Sequence, residues 1–164
     1  MDKFGTVPPE VPVERSLAVC APRFREAVEA MLRELEAQDT YQFLRFETLR
    51  TPERQAYLFG FGREYDDGRG RVTNARTSLY SWHGFGLAID VVEKDATPWD
   101  APAGFWTTLG ECAERHGLDW GGRWKRPDLP HIQFGKCRPS PSARSRTLYA
   151  AGGLEAVWRA VQAA

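Results

Sequence analysis

Apolar and polar positions recur along the chain with two different periods, and the changes of period mark its elements. Between residues 22 and 37, Phe24, Val28, Met31, Leu32 and Leu35 fall on one helical face. Pro22 suits the first turn, so a scaffold helix is predicted there. Residues 41–49 (Tyr-Gln-Phe-Leu-Arg-Phe-Glu-Thr-Leu) alternate only partly but are rich in aromatics, and they read as a strand. Thr51-Pro52-Glu53 opens a second helix, expected to run to about Phe59 with Thr51 as its N-cap. Residues 60–80 hold glycines and many charges with little apolar content. They read as a long loop, a kind of segment that often carries function.

Residues 86–92 (Gly-Leu-Ala-Ile-Asp-Val-Val) are apolar and β-branched apart from one carboxylate, which predicts a buried strand. A third helix is expected over 101–116, with Phe105, Leu109 and Cys112 on one face and Gly117 as its cap. Short strands are expected near Leu118–Trp120 and His131–Phe134. A last amphipathic helix is expected at about 154–162, on Leu154, Val157, Trp158 and Val161. Residues 1–15 read as an extended arm and 136–153 as linker-like. Helices and short strands without a βαβ rhythm predict an α+β fold, a single domain over 1–164 with helices flanking its sheet.

Composition narrows the function classes. Lys plus Arg equals Asp plus Glu at 22 each, so no global charge draws the chain to nucleic acid or an anionic membrane. Arg69, Arg71 and Arg76 are diluted by Asp66 and Asp67 and read as a solvated loop. Cys20, Cys112 and Cys137 are odd in number and far apart, which suggests free thiols rather than a disulfide framework. No apolar run approaches the ~20 residues of a membrane span, and the first residues lack the apolar stretch of a secretory signal. Synthesis in the cytoplasm, no membrane insertion and a monomeric state are the expectations.

Two segments carry candidate chemistry. In Ser81-Trp82-His83-Gly84-Phe85-Gly86-Leu87-Ala88-Ile89-Asp90, the histidine can end a loop while the aspartate lies on the following strand. Glycines 84 and 86 would let the backbone turn tightly between them. An unpaired carboxylate among Leu, Ala, Ile and Val would be costly to bury, so Asp90 needs a cation, a donor cluster or a metal. In Pro127-Asp128-Leu129-Pro130-His131-Ile132-Gln133-Phe134, His131 opens an apolar run and Asp128 sits three residues earlier. Alone, each histidine reads more readily as a hydrogen-bonded core residue, and each aspartate as a salt-bridge partner. Together, His83, Asp90 and His131 make the three-ligand set of a catalytic Zn²⁺, with Asp128 as a base for the metal-bound water. His116, at a helix end before Gly117, reads as structural.

These segments resemble the zinc peptidase family of D-Ala-D-Ala carboxypeptidases, D-Ala-D-Ala dipeptidases of vancomycin resistance and L-alanyl-D-glutamate endopeptidases of phages and bacteria. Ser81, His83, Gly86, Ala88 and Asp90 match the pattern SxHxxGxAxD at every fixed position, and Asp128 and His131 match a later acidic-x-x-His element. Leu49-Arg50-Thr51-Pro52-Glu53-Arg54-Gln55 is similar to the arginine-rich element before the family's first helix, and the likeness covers roughly residues 40–135. It implies a Hedgehog/DD-peptidase-like antiparallel sheet carrying zinc, and hydrolysis of peptidoglycan stem peptides. It further implies Arg50 as the cation on the scissile carbonyl, with Ser81 and Gln55 orienting ligand or substrate. Arg123 stands where relatives often have an acidic residue, and there it could bind a substrate carboxylate. Within the family, the L-alanyl-D-glutamate endopeptidase of the endolysin type is the favoured expectation, reaching the wall through a holin or lysis. A D-Ala-D-Ala carboxypeptidase is the alternative, and a non-catalytic zinc-containing wall-binding module is the reading from another class.

Overall fold

The structure is a computed structural model that describes residues 3–95 and 97–163; the ends of the expected arm and of the expected C-terminal segment, residues 1, 2 and 164, lie outside them. Four strands, β1 (Phe43–Glu47), β2 (Ala88–Glu93), β3 (Leu118–Trp120) and β4 (His131–Phe134), form one antiparallel sheet in the order β1-β2-β4-β3. Four helices accompany it: α1 (Pro22–Gln38), α2 (Pro52–Gly60), α3 (Ala103–Arg115) and α4 (Ala143–Ala163). The α+β expectation holds.

Helix α1 forms where the apolar spacing placed it. Phe24, Val28, Met31 and Leu35 are fully buried, each contributing about 1.5–3 kcal/mol by leaving water. Helix α3 packs against α1 and presents Phe105, Leu109 and Cys112 to the same core. Phe105 stacks on Phe43 of β1 at 4.6 Å between ring centroids, which fastens the helical layer to the sheet edge. Gly117 follows α3 at φ +73°, the left-handed position that glycine takes without a Cβ penalty.

Strand β1 departs from simple alternation. Arg45 pairs with Val91, but Glu47 rather than Phe46 pairs with Asp90, so β1 carries one extra residue there. Such a bulge turns neighbouring side chains that a regular strand would send to opposite faces. Phe46 and Glu47, adjacent in sequence, both line the same cavity as a result.

The C-terminal expectation is corrected. Residues 143–151, assigned to a linker, are helical, and α4 runs from Ala143 to Ala163 with its only non-helical backbone at Gly152 and Gly153. Gly153 has φ +67°. The helix reaches back to the core, where Val157 is fully buried and the Trp158 indole donates to the Phe85 carbonyl at 2.6 Å. Among the described residues, no helix is long and apolar enough to cross a membrane.

Candidate metal centre and active site

The site lies where β2 and β4 face the ends of β1 and α2. Asp90 and His131 are directly opposed in the β2–β4 register. His83 comes from a short 3-10 turn, Trp82–Phe85, that leads into β2. Ser81 caps this turn, its hydroxyl accepting from the His83 amide at 3.3 Å. Gly84 presses against Ser78: a Cβ there would run into the Ser78 carbonyl. Gly86 closes the turn at φ +65°. Both glycines are needed for the tight turn, Gly84 for close approach and Gly86 for backbone conformation.

Both histidines are oriented from behind. His83 Nδ1 donates to the Thr48 carbonyl at 3.0 Å, which leaves Nε2 facing Asp90 Oδ1, 3.3 Å away. Thr48 is itself tied to the N-terminal arm: its amide donates to the Glu14 carbonyl at 2.8 Å, and its hydroxyl shares one proton between the Glu14 and Ser16 carbonyls, 3.1 and 2.9 Å away. His131 Nε2 donates to the Gln133 amide oxygen at 2.9 Å, and the Gln133 amide nitrogen donates to the Arg138 carbonyl at 3.2 Å. That second bond sets the amide orientation, so His131 Nδ1 is the free ring nitrogen, 3.9 Å from Asp90 Oδ1. A neutral imidazole with its other N–H fixed on an oxygen is the form that binds a metal.

The ligand atoms of His83, Asp90 and His131 all lie within 4.8 Å of one another. The donor set, two imidazoles and one carboxylate, suits Zn²⁺, whose ~2.0–2.2 Å bonds bring ligands close together. Electrostatics agree with a cation. Burial acting alone would raise the Asp90 carboxyl, but His83, Arg50 and His131 more than offset it and hold it below the usual carboxylate range. Burial, then the neighbouring His83, push His131 down to about 4, so it stays neutral and able to coordinate at pH 7.

Asp128 Oδ2 stands 4.0 Å from His131 Nδ1, at the cavity edge, with its side chain 52% exposed. Partial withdrawal from water and the charge of Asp90 push its carboxyl up to about 6. Its position is set by Gly121, whose carbonyl accepts from the Asp128 amide at 2.9 Å and whose lack of a Cβ admits the Asp128 backbone.

Arg50 reaches the same cavity. Its Nε donates to Glu47 Oε1 at 2.7 Å, its NH1 to the Gln55 side-chain oxygen at 3.1 Å, and its NH2 lies 3.5 Å from Asp90 Oδ2. Glu47, only 1% exposed, uses its other oxygen to accept from Arg54 Nε at 2.9 Å. One buried carboxylate thus holds two guanidiniums against the cavity wall.

The cavity measures about 820 Å³ and takes in His83, Asp90, His131, Asp128, Arg50 and Ser81. Tyr80, Trp82 and Trp124 also line it. Two predicted residues sit elsewhere. Gln55 is fully buried and does not line the cavity; it joins Arg50 to the loop, donating to Thr73 Oγ1 and the Ala75 carbonyl. Arg123 is turned away. Its guanidinium donates to Glu114 of α3 at 2.8 and 3.1 Å and stacks over Trp120, so the structure does not bring it to a substrate carboxylate in the cavity. Sequence reasoning missed Glu47, Thr48 and Gln133. The one signal for Glu47 and Gln133 was a charged or amide side chain inside each of two apolar runs, and Thr48, which acts through its backbone, had none.

A second group of metal-capable side chains, Glu34, Cys112 and His116, joins α1 to the end of α3. Arg115 donates twice to Glu34 Oε1 there, at 2.6 and 3.0 Å, and His116 Nε2 meets Oε2 at 2.6 Å, so both oxygens of the carboxylate already have partners. His116, read as structural from its place at the helix end, turns its ring to Glu34 of α1.

The fold brings the convergent His/Asp/His set, a further carboxylate and an arginine into one candidate metal centre. Comparison with known proteins agrees. Residues 74–134 match a family model described as D-alanyl-D-alanine carboxypeptidase. The chain is 32% identical over 99 residues to the peptidoglycan L-alanyl-D-glutamate endopeptidase CwlK of Bacillus subtilis (strain 168), an alignment over 54% of this chain. This chain spans 58% of the length of that relative. A crystal structure of the Serratia marcescens L-Ala D-Glu endopeptidase ChiX superposes with a TM-score of 0.53 at 25% identity, covering 77% of this chain and 91% of that one. The LdcB LD-carboxypeptidase structure shares the fold, with a TM-score of 0.52 at 14% identity, over 94% of this chain and 76% of its own. The resemblance read from the motifs is therefore to a zinc peptidase family of this kind.

Proposed function

We propose that this chain is a zinc-dependent peptidase that hydrolyses the L-alanyl-D-glutamate bond of the peptidoglycan stem peptide. The observation that carries the reading is the convergence of His83 Nε2, Asp90 Oδ1 and His131 Nδ1 beside a carboxylate and an arginine that a purely structural metal site would not need. Bound there, Zn²⁺ would supply Lewis-acid polarisation and lower the pKa of a water.

The chain's own residues provide the rest. Asp128, raised to about 6, is matched to accepting a proton from the attacking water and passing it to the departing amine. Arg50, fixed by Glu47 and Gln55, offers a preorganised cation where negative charge develops on the scissile carbonyl oxygen. Ser81 keeps the His83 turn in place. Two relatives named as L-Ala–D-Glu endopeptidases favour that bond. The place of action would then be the cell wall.

A second reading, removal of a terminal D-alanine, has support in the description of the family model matching residues 74–134. Metal analysis followed by mass spectrometry of digested muropeptides separates the two. Equimolar zinc with new D-glutamate N-termini is expected; loss of terminal D-alanine alone would overturn the endopeptidase assignment. Asp128→Ala is expected to keep zinc and lose turnover by ~10²-fold or more. Unchanged lysis by that variant would remove Asp128 from the mechanism. Absence of lysis by the parent on every wall preparation would favour a binding module.

A further inference from the structure

At the rim of the cavity, two arginines gather on one tyrosine. Tyr80 lines the cavity and is 37% exposed. The guanidinium carbon of Arg76 lies 4.7 Å from the Tyr80 ring centroid, and that of Arg146 lies 4.3 Å from it. Arg76 also donates to the Tyr80 hydroxyl at 2.6 Å, and Arg146 donates to the carbonyl of Pro141, another lining residue, at 3.2 Å. The three residues come from distant parts of the chain: Arg76 from the long loop, Tyr80 from the turn before the metal motif, and Arg146 from the first turn of α4.

Arg76 and Arg146 stand just outside the lining, and the arginines that do line this cavity are neutralised. Arg50 and Arg54 share Glu47, and Arg69 is paired with Asp67 at 2.6 Å. Arg76 and Arg146 have no carboxylate partner among the described residues. Two like charges held on one ring repel each other, and cation–π attraction at an exposed site returns only ~0.5–1 kcal/mol each. An anion at the rim would relieve that repulsion. The positive end of the cavity is thus the Tyr80 end, and its acidic end is that of Asp90 and Asp128.

Resting on the endopeptidase reading, the substrate carries an anion at a suitable place. A glutamyl residue whose nitrogen lies in the scissile bond has two carboxyl groups. One continues the peptide, and the other remains free, a few bonds from the bond that breaks. Tyr80 precedes the ligand His83 by three residues, so their Cα atoms are at most about 10 Å apart. We propose that Arg76, Tyr80 and Arg146 form the subsite for the free carboxylate of the glutamyl residue on the leaving-amine side. Arg76 and Arg146 supply charge and N–H donors, and Tyr80 holds both guanidiniums at the rim.

The test uses two synthetic peptides with the same L-alanyl-D-glutamyl bond, one with the glutamyl carboxylate free and the other with it amidated. The zinc-loaded protein is expected to favour the free acid by about 10-fold in kcat/KM, mainly through KM, which corresponds to ~1.4 kcal/mol. In R76Q/R146Q that ratio should fall towards 1, while R76K/R146K should keep most of it. If the double variant fails to fold, R76Q, altered only at an exposed position, should lower the ratio by itself. A parental ratio near 1, or a parental ratio kept by the glutamine variants, would overturn the subsite. Zinc-dependent loss of terminal D-alanine with neither peptide cut at the Ala–Glu bond would instead refute the endopeptidase reading, and the subsite with it.

Discussion

Replacing Glu47 with glutamine tests the buried charge network that supports the site. The side chain keeps its shape and one carbonyl oxygen but loses its charge. Two guanidiniums then rely on Asp90, 3.5 Å from Arg50, and on Glu10, 3.6 Å from Arg54 and 70% exposed. Removing one member of a buried ion pair costs ~3–5 kcal/mol, because the partner charge stays buried. The remaining amide oxygen can still accept from one arginine, which offsets ~1 kcal/mol. A net loss of ~2–4 kcal/mol follows, or a fall in Tm of roughly 5–15 °C at this chain length. Urea denaturation of the metal-free protein measures it without interference from zinc binding. Glu10→Gln is the control, expected to change stability by under ~1 kcal/mol since its pair is solvated. If E47Q lost less than ~1 kcal/mol, or no more than E10Q, the idea that Glu47 anchors both arginines would be wrong.

Three further outcomes are expected. Gly84→Ala should cost ~1–3 kcal/mol, since its methyl meets the Ser78 carbonyl rather than a movable side chain. It should also weaken zinc binding through the displaced His83, and parental stability and zinc stoichiometry together would contradict that packing. Hydrogen bonds from Arg115 and His116 hold Glu34 down to about 2, so its stabilising effect is full above pH ~4.5 and is lost as pH falls towards 2. Glu34→Gln should therefore be less stable at pH 7 and show a shallower acid decline, and a parent–variant gap that is equal at pH 7 and pH 3 would count against this. Burial pushes Cys20 and Cys137 up to about 12 and Cys112 up to about 11, so a thiol reagent at pH 8 should label none of the three in the folded protein and all three in denaturant. Rapid labelling of the native state would show that their burial is not maintained.

Much of the scaffold was legible because local signals and burial coincide. Pro22, Thr51 and Gly117 mark helix ends, and Thr51 does cap α2, accepting from the Arg54 amide. The first half of α4 was not legible. Its residues 143–151 carry little apolar periodicity, and Ser145 is the one buried position among them. Its Ala, Arg and Leu residues favour a helix, but with no apolar stripe the pattern of positions does not single the stretch out. In the site, Asp90 stands out because a carboxylate in an apolar run needs a partner, while His83 gains weight from its spacing to Asp90 and His131 from the family resemblance. The residues that orient them do not stand out. Thr48 acts through its backbone carbonyl, to which any residue type contributes equally. Gln133 acts on its neighbour two positions back along the same strand face, a pairing that alternation permits but does not announce. Arg123 shows the converse, since nearness in sequence to the site glycines does not fix direction, and Glu114 on α3 takes its charge.

The bulge in β1 has a consequence for how this strand can vary. Because Glu47 rather than Phe46 stands opposite Asp90, the strand behaves like a reading frame with one inserted letter. Substitutions at 46 or 47 alter one wall of the cavity each. Deletion of Phe46, the one residue between Arg45 and Glu47, would restore regular pairing with Glu47 still opposite Asp90, and it would strip the phenyl ring from the cavity wall. This strand should therefore tolerate exchange of residues far better than any change in their number.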